Sequence, residues 1–168
     1  MKLFMIQIGG NCGGSNVELH DIRFSLGNKI EDCYDDLREQ WWGIPKSLHL
    51  DCWGEIRQVD GHNVNIVPKT RSNHINKLFF LNLGGYNSTQ FGELHENLLL
   101  VMPDLSSAKK RALAEVKHWA QPHRDKGFEV ENSINLSKSV RSNGYSIELT
   151  PSEKQVPFDF ICKYKKIG

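Results

Sequence analysis

The sequence predicts an α+β fold: a tandem duplication of a ββαββ unit, with mostly antiparallel sheets and one helix per repeat, packed as one compact pseudo-twofold body. Three observations predict it. Lys2–Gly10 (KLFMIQIGG) and Lys77–Gly85 (KLFFLNLGG) match at an offset of 75, which holds through Glu18-Leu19-His20-Asp21 against Glu93-Leu94-His95-Glu96. Positions 2–26 keep eight identities with their partners, where average residue usage gives about one or two by chance. Asp60–Pro68 and Asn143–Pro151 match at an offset of 83, each opening on an Asp-Gly or Asn-Gly pair of the kind that turns a hairpin.

Each repeat reads in the same order. The first strand, Lys2–Ile8 or Lys77–Leu83, alternates and runs into a Gly-Gly pair and a polar loop. A second strand follows Glu-Leu-His, at Ile22–Leu26 and Leu98–Met102. In the first helix, Asn28 with Glu31 resembles a capping box, and Ile30, Cys33, Tyr34, Leu37 and Trp41 form one stripe. In the second, Asp104 or Ser106 caps and Leu105, Ala108, Ala112, Val116 and Trp119 form the stripe. A hairpin then closes each repeat, Leu48–Val59 with His62–Val67 and about Phe128–Leu136 with Tyr145–Thr150. Phe158–Tyr164 reads as one additional strand. The domains are therefore 1–70, 76–152 and a C-terminal extension 153–168, and the offset grows through insertions in loops.

Composition excludes several classes. Of 168 residues, 39% are hydrophobic, and 21 Lys and Arg face 20 Asp and Glu, a net charge of +1. The small basic clusters Lys109-Lys110-Arg111 and Lys163–Lys166 are too slight for a nucleic-acid footprint. No run approaches the ~20 apolar residues of a spanning helix, and the apolar start of the chain is too short for a signal peptide. Cys12, Cys33, Cys52 and Cys162 are scattered with no C-x-x-C spacing. A chain able to bury its own core needs no staples, so all four read as reduced thiols in a soluble cytoplasmic protein.

The best chemical candidates are Glu18, His20, Glu93 and His95. Two apart on a strand, each Glu and His project from one face, and an imidazole beside a carboxylate suits a general base or a metal ligand. A pseudo-twofold that joined the pairs would give four ligands for zinc or another divalent metal. The more economical reading is a structural pair kept twice, with no cofactor. Gly9, Gly10, Gly84 and Gly85 offer backbone N–H groups to an anionic ligand, although a turn or close packing explains them more simply. His49 and Asp51 share a strand face with Trp53 beside them. They read as an exposed polar face, with Cys52 pointing away unless a bulge intervenes. Cys12 near His20 reads as an ordinary loop cysteine, since its counterpart is Asn87. One of Trp41 and Trp42 must leave the helix stripe.

These shared blocks carry a resemblance. The Gly-Gly strand end, Glu-Leu-His-Asp, a helix ending near Trp, His49-Leu50-Asp51 and Val59-Asp60-Gly61 resemble the uncharacterised, mainly bacterial family known as domain of unknown function 1543, in two tandem copies. The resemblance implies a protein of one or two such domains and transfers no catalytic residues. The second copy departs from it, having no evident His-Leu-Asp near Phe128–Glu131. The function expected is a duplicated ligand- or protein-binding module, its partner an unknown small molecule or protein. The alternative is a small metal-dependent or general-base hydrolase using the duplicated Glu-Leu-His. Neither nucleic acid nor membrane is expected, and apolar strand edges leave room for a homo-oligomer.

Overall fold

The computed structural model describes residues 1–69, 75–86, 89–115 and 129–168, with the side chains of 129–132 and 141–142 left aside. The expected Val116, Trp119 and Phe128, and most of the linker between the repeats, lie outside those residues. The described elements are mostly antiparallel strands with few helices, an α+β fold. They form two compact units: Met1–Gln58 with Val64–Ile66 and Glu153–Gly168, and Val59–Asn63 with Val67–Ser152.

In the first unit, β1 (Lys2–Gly10) pairs with β2 (Leu19–Gly27) on one side and β3 (His49–Glu55) on the other, and β10 (Phe160–Lys166) adds to β3, giving the order β10-β3-β1-β2. β1 alternates from Phe4 to Ile8, with Met5 and Gln7 only half-buried between them. Phe4, Ile6 and Ile8 face the helical side and pack with Ile30, Cys33, Leu37, Trp41, Leu48, Leu50 and Ile167. The helix begins as a 3-10 turn at Ile30–Cys33 and becomes α1 at Tyr34–Gln40. Its cap differs from the expected one: the Asp32 carboxylate, not Glu31, accepts the Asn28 and Lys29 N–H groups at 2.9 and 3.2 Å. The apolar stripe is as expected, and Trp42 is the tryptophan that leaves it, 54% exposed against 8% for Trp41.

In the second unit, β6 (Lys77–Tyr86) lies between β7 (Glu93–Met102) and β8 (Glu129–Asn135). Phe79, Leu81, Leu83 and Leu100 pack against Ala108 and Ala112 of α2 (Leu105–Glu115). Asp104 caps this helix as expected, accepting the Ser107 N–H at 2.8 Å. A further helix, α3 (Leu136–Ser142), which the pattern did not predict, precedes β9 (Tyr145–Pro151). The remaining strands, β4 (Gln58–Val59) and β5 (His62–Pro68), make a three-stranded sheet in the order β4-β5-β9. The expected strand Leu48–Val59 is thus two strands in two sheets, with β3 pairing with β1 rather than closing a hairpin with β5. Asp60 and Gly61 turn at φ 50° and 68°, the positive values that the Asp-Gly pair implied. Among the described residues no helix is long and apolar enough to cross a membrane.

Two expectations are overturned by β1 and β10. The first strand does not end at its Gly-Gly pair but runs through it to Gly10, and β6 likewise continues to Tyr86. The cysteines are not all thiols: Cys52 and Cys162, directly opposed on β3 and β10, form a disulfide, while Cys12 and Cys33 are free. A sequence separation of 110 hid the pair; only the addition of the C-terminal strand beside β3 brings them together.

Candidate functional site

The site grows from one row across three strands. Gly9 on β1 is opposed by His20 on β2 and by His49 on β3. Neighbouring strands lie ~4.8 Å apart, and directly opposed residues project from the same face. The two imidazoles therefore flank a residue with no side chain, and lean in above it. A Cβ at Gly9 would lie 2.7 Å from His49 Nε2, 2.8 Å from His20 Cδ2 and 2.9 Å from Asp51 Oδ2. Gly10 points to the opposite, helical face, where a Cβ would meet Trp41 at 2.7 Å and Ser47 Oγ at 2.9 Å. The Gly-Gly pair thus serves close packing on both faces of β1. On the site side it makes a floor under the converging side chains.

A bulge supplies the third group. Gln7 pairs with Cys52 and Ile8 with Leu50, so Asp51 is the additional residue on β3. Bulges re-aim side chains; here the carboxylate turns into the row, with Asp51 Oδ2 3.5 Å from His20 Nε2 and Oδ1 3.5 Å from His49 Nε2. Glu18, just before β2, completes the cluster at 3.9 Å from His20 Nε2 and 3.5 Å from His49 Nε2. His49 is 1% exposed, which overturns the reading of His49 and Asp51 as a solvated face. The bulge also reverses the expected direction of Cys52: paired with Gln7, it lies on the same face as His49, but its sulfur is bonded to Cys162.

The electrostatics are specific. His49 Nδ1 lies 2.9 Å from the Ser47 carbonyl, which can only accept, so Nδ1 carries the proton and Nε2 turns toward the two carboxylates. Fixing one imidazole nitrogen on a backbone carbonyl is the usual way in which a metal-ligating histidine is oriented. Asp51 Oδ2 is buried without a hydrogen-bond partner, an arrangement that is costly for a carboxylate unless a positive charge lies nearby. With neutral imidazoles the four side chains sum to −2. Glu18, His20 and His49 offer ligand atoms that all lie within 4.8 Å of one another, the group of that kind found among the described residues.

Glu18 and His20 join His49 and Asp51, whereas in the second unit His95 lies 3.8 Å from Glu93. The backbone register there is the same: His95 and Glu129 both oppose Gly84, and β8 has its irregularity at the equivalent place, between Asn82 and Leu83. Glu129 thus occupies the position corresponding to His49. Gly84 and Gly85 are buried in β6.

Comparisons with known proteins bear on part of the chain's sequence and on its fold. The family model for Domain of Unknown Function (DUF1543) matches residues 15–66, a span that holds Glu18, His20, His49 and Asp51 and lies wholly in the first expected repeat. No curated protein matches the chain. A crystal structure of a protein Il1583 from Idiomarina loihiensis is similar over 99% of this chain and 98% of that one, at 24% identity and a TM-score of 0.73. The chain thus carries a DUF1543 match over residues 15–66 and shares its fold with the Idiomarina loihiensis protein, without an assigned activity.

Proposed function

We propose that this protein binds a divalent first-row metal ion, zinc foremost, through His20, His49, Glu18 and Asp51. The observation that carries the proposal is the row His20–Gly9–His49, in which a glycine leaves room for two imidazoles and two carboxylates to converge. Two imidazoles with carboxylate oxygens suit zinc and its neighbours better than calcium or magnesium. A divalent ion would neutralise the −2 charge and give Asp51 Oδ2 the partner it lacks. The binding module expected from the sequence thereby acquires a chemical class of ligand. In the same reading the two repeats descend from a duplication, and the exchange of His49 for Glu129 at corresponding positions confines the imidazole pair to the first unit.

Metal analysis and calorimetry test this directly. Wild-type protein, stripped and titrated with Zn²⁺, is expected to take up one ion per chain. His20→Ala and Glu18→Gln, both at half-exposed positions, should weaken uptake about 10-fold or more while leaving the fold intact. Wild-type protein that binds less than ~0.2 zinc per chain overturns the proposal.

The exposure of Glu18 and His20, at 41% and 43% of their side chains, favours a second step of reading. A metal held on the solvent side keeps room for a coordinated water, which is the requirement for hydrolysis. Zinc-dependent turnover of simple esters or phosphoesters that disappears in Glu18→Gln supports a hydrolase. Tight zinc binding without turnover on such a panel leaves a binding module.

A further inference from the structure

We infer that β10 is a thiol-releasable strap that positions His49 through Tyr164, with the Cys52–Cys162 disulfide as its latch. The inference rests on the metal-binding reading for its functional consequence, but its geometry stands apart from that reading. Cys162 opposes Cys52, and Lys165 opposes Leu50, so Lys163 and Tyr164 span a register break facing the Asp51 bulge. The break places the Tyr164 ring on the His49 imidazole, with centroids 4.5 Å apart. Tyr164 is itself 63% exposed, so the ring is held by its strand and not by a surrounding core.

The two ends of that break are anchored differently. On the C-terminal side, the Ile167 and Gly168 N–H groups donate to the Leu48 carbonyl at 3.0 and 2.9 Å. Arg38 Nε donates to the Ile167 carbonyl at 2.8 Å, and Ile167 is buried. On the other side, the disulfide fastens an otherwise exposed stretch, since Phe160, Ile161 and Cys162 are all solvent-facing on an edge strand. An exposed disulfide is open to thiol attack. A dithiol donates two electrons and two protons: the Cys52–Cys162 bond breaks, both cysteines become thiols, and the dithiol closes to its own disulfide. The C-terminal anchor stays, whereas the other side of the break keeps only its strand pairing to Trp53 and Gly54 and loses its covalent link to β3. His49 then keeps its Ser47 hydrogen bond but loses the ring that covers it.

The test compares the oxidised protein, protein reduced with dithiothreitol and desalted anaerobically, Cys52→Ser/Cys162→Ser, and Tyr164→Ala, each titrated with Zn²⁺. Outer-shell partners of metal-bound histidines typically matter about 10–100-fold in affinity. Reduction, the double serine variant and Tyr164→Ala should each weaken zinc binding about 10-fold, and reducing Tyr164→Ala should add less than about twofold, because both changes act through one contact. Equal affinity in the oxidised, reduced and double serine forms overturns the strap. So does tighter binding on reduction that the serine variant lacks, since it would make the thiols ligands. The ring contact is also read without metal, from the ring-current shifts of His49 in NMR spectra of the oxidised and reduced protein. If no form binds zinc but those shifts vanish on reduction, the metal reading fails and the strap stands. If they persist on reduction, the strap is refuted whatever zinc does.

Discussion

Gly9→Ala is the sharpest perturbation of the site, because it adds one methyl group at the centre of the row. The new Cβ would lie 2.7, 2.8 and 2.9 Å from atoms of His49, His20 and Asp51, whereas ordinary contact begins at 3.4 Å. Each group must therefore retreat by about 0.5–0.7 Å, while ligand distances at a metal tolerate only about 0.2 Å. His49 has little freedom to retreat, since it is 1% exposed and its Nδ1 is tied to Ser47. Overpacking of this kind costs about 1–3 kcal/mol of stability, and displaced ligands should weaken zinc binding by at least the roughly 10-fold of an outer-shell defect. Gly13→Ala is the control: a Cβ there meets nothing within 4 Å. Urea denaturation of the metal-free proteins and zinc calorimetry separate the two effects. A Gly9→Ala protein as stable as wild type, with unchanged zinc affinity, would refute the view that the glycine makes room for converging ligands.

Other outcomes follow from the same structure. Ile8→Ala, at a position with 0% exposure in the first core, should lower stability by about 2–5 kcal/mol in denaturant titrations. Asp60→Ala removes the carboxylate that accepts two Arg111 bonds at 2.9 Å and the Val101 N–H at 2.8 Å; a loss of about 1–3 kcal/mol is expected, read as a fall in the urea midpoint. Burial pushes the Cys33 thiol up, so iodoacetamide at neutral pH should label Cys12 in the native protein well before Cys33, as mass spectrometry will show. Hydrogen bonds from the Ser107 N–H and hydroxyl hold the Asp104 carboxyl below its usual range. Its stabilising contribution is therefore full above the unfolded-state value and lost as pH falls through the folded one. Asp104→Ala should flatten that part of the acid limb of the stability curve.

The strand order around the site was half legible in the sequence. Alternation in Lys2–Ile8 and the helix stripe from Ile30 to Trp41 are local patterns, and local patterns survive folding because burial enforces them. Glu18 and His20 were visible for the same reason, as a pair standing next to a strand. His49 and Asp51 were visible as residues but not as partners. Their convergence depends on two non-local facts: the placement of β3 beside β1 and the extra residue at Asp51 that turns its carboxylate over. A strict two-residue alternation puts Cys52 on the wrong face, and only the bulge reverses it. The Cys52–Cys162 pair was hidden by the same kind of ignorance, since the position of β10 is set by tertiary packing around Ile167 and Leu48 and not by any motif.

The register of the second unit sharpens what the first is for. Backbone register alone does not require His49: β6 and β8 keep the Gly84 opposition and the neighbouring irregularity with Glu129 at the position of His49. The side chains that differ are those that decide ligand chemistry, nitrogen in one unit and oxygen in the other. Substituting His49→Glu in the first unit tests ligand chemistry at a position whose register counterpart in the second unit is a glutamate. If the imidazole pair selects a zinc-like ion, this variant should fold, lose most of its zinc affinity and retain manganese or calcium comparatively well. Unchanged zinc affinity in a folded His49→Glu protein would show that His49 is not a ligand, and would return the row to a structural role.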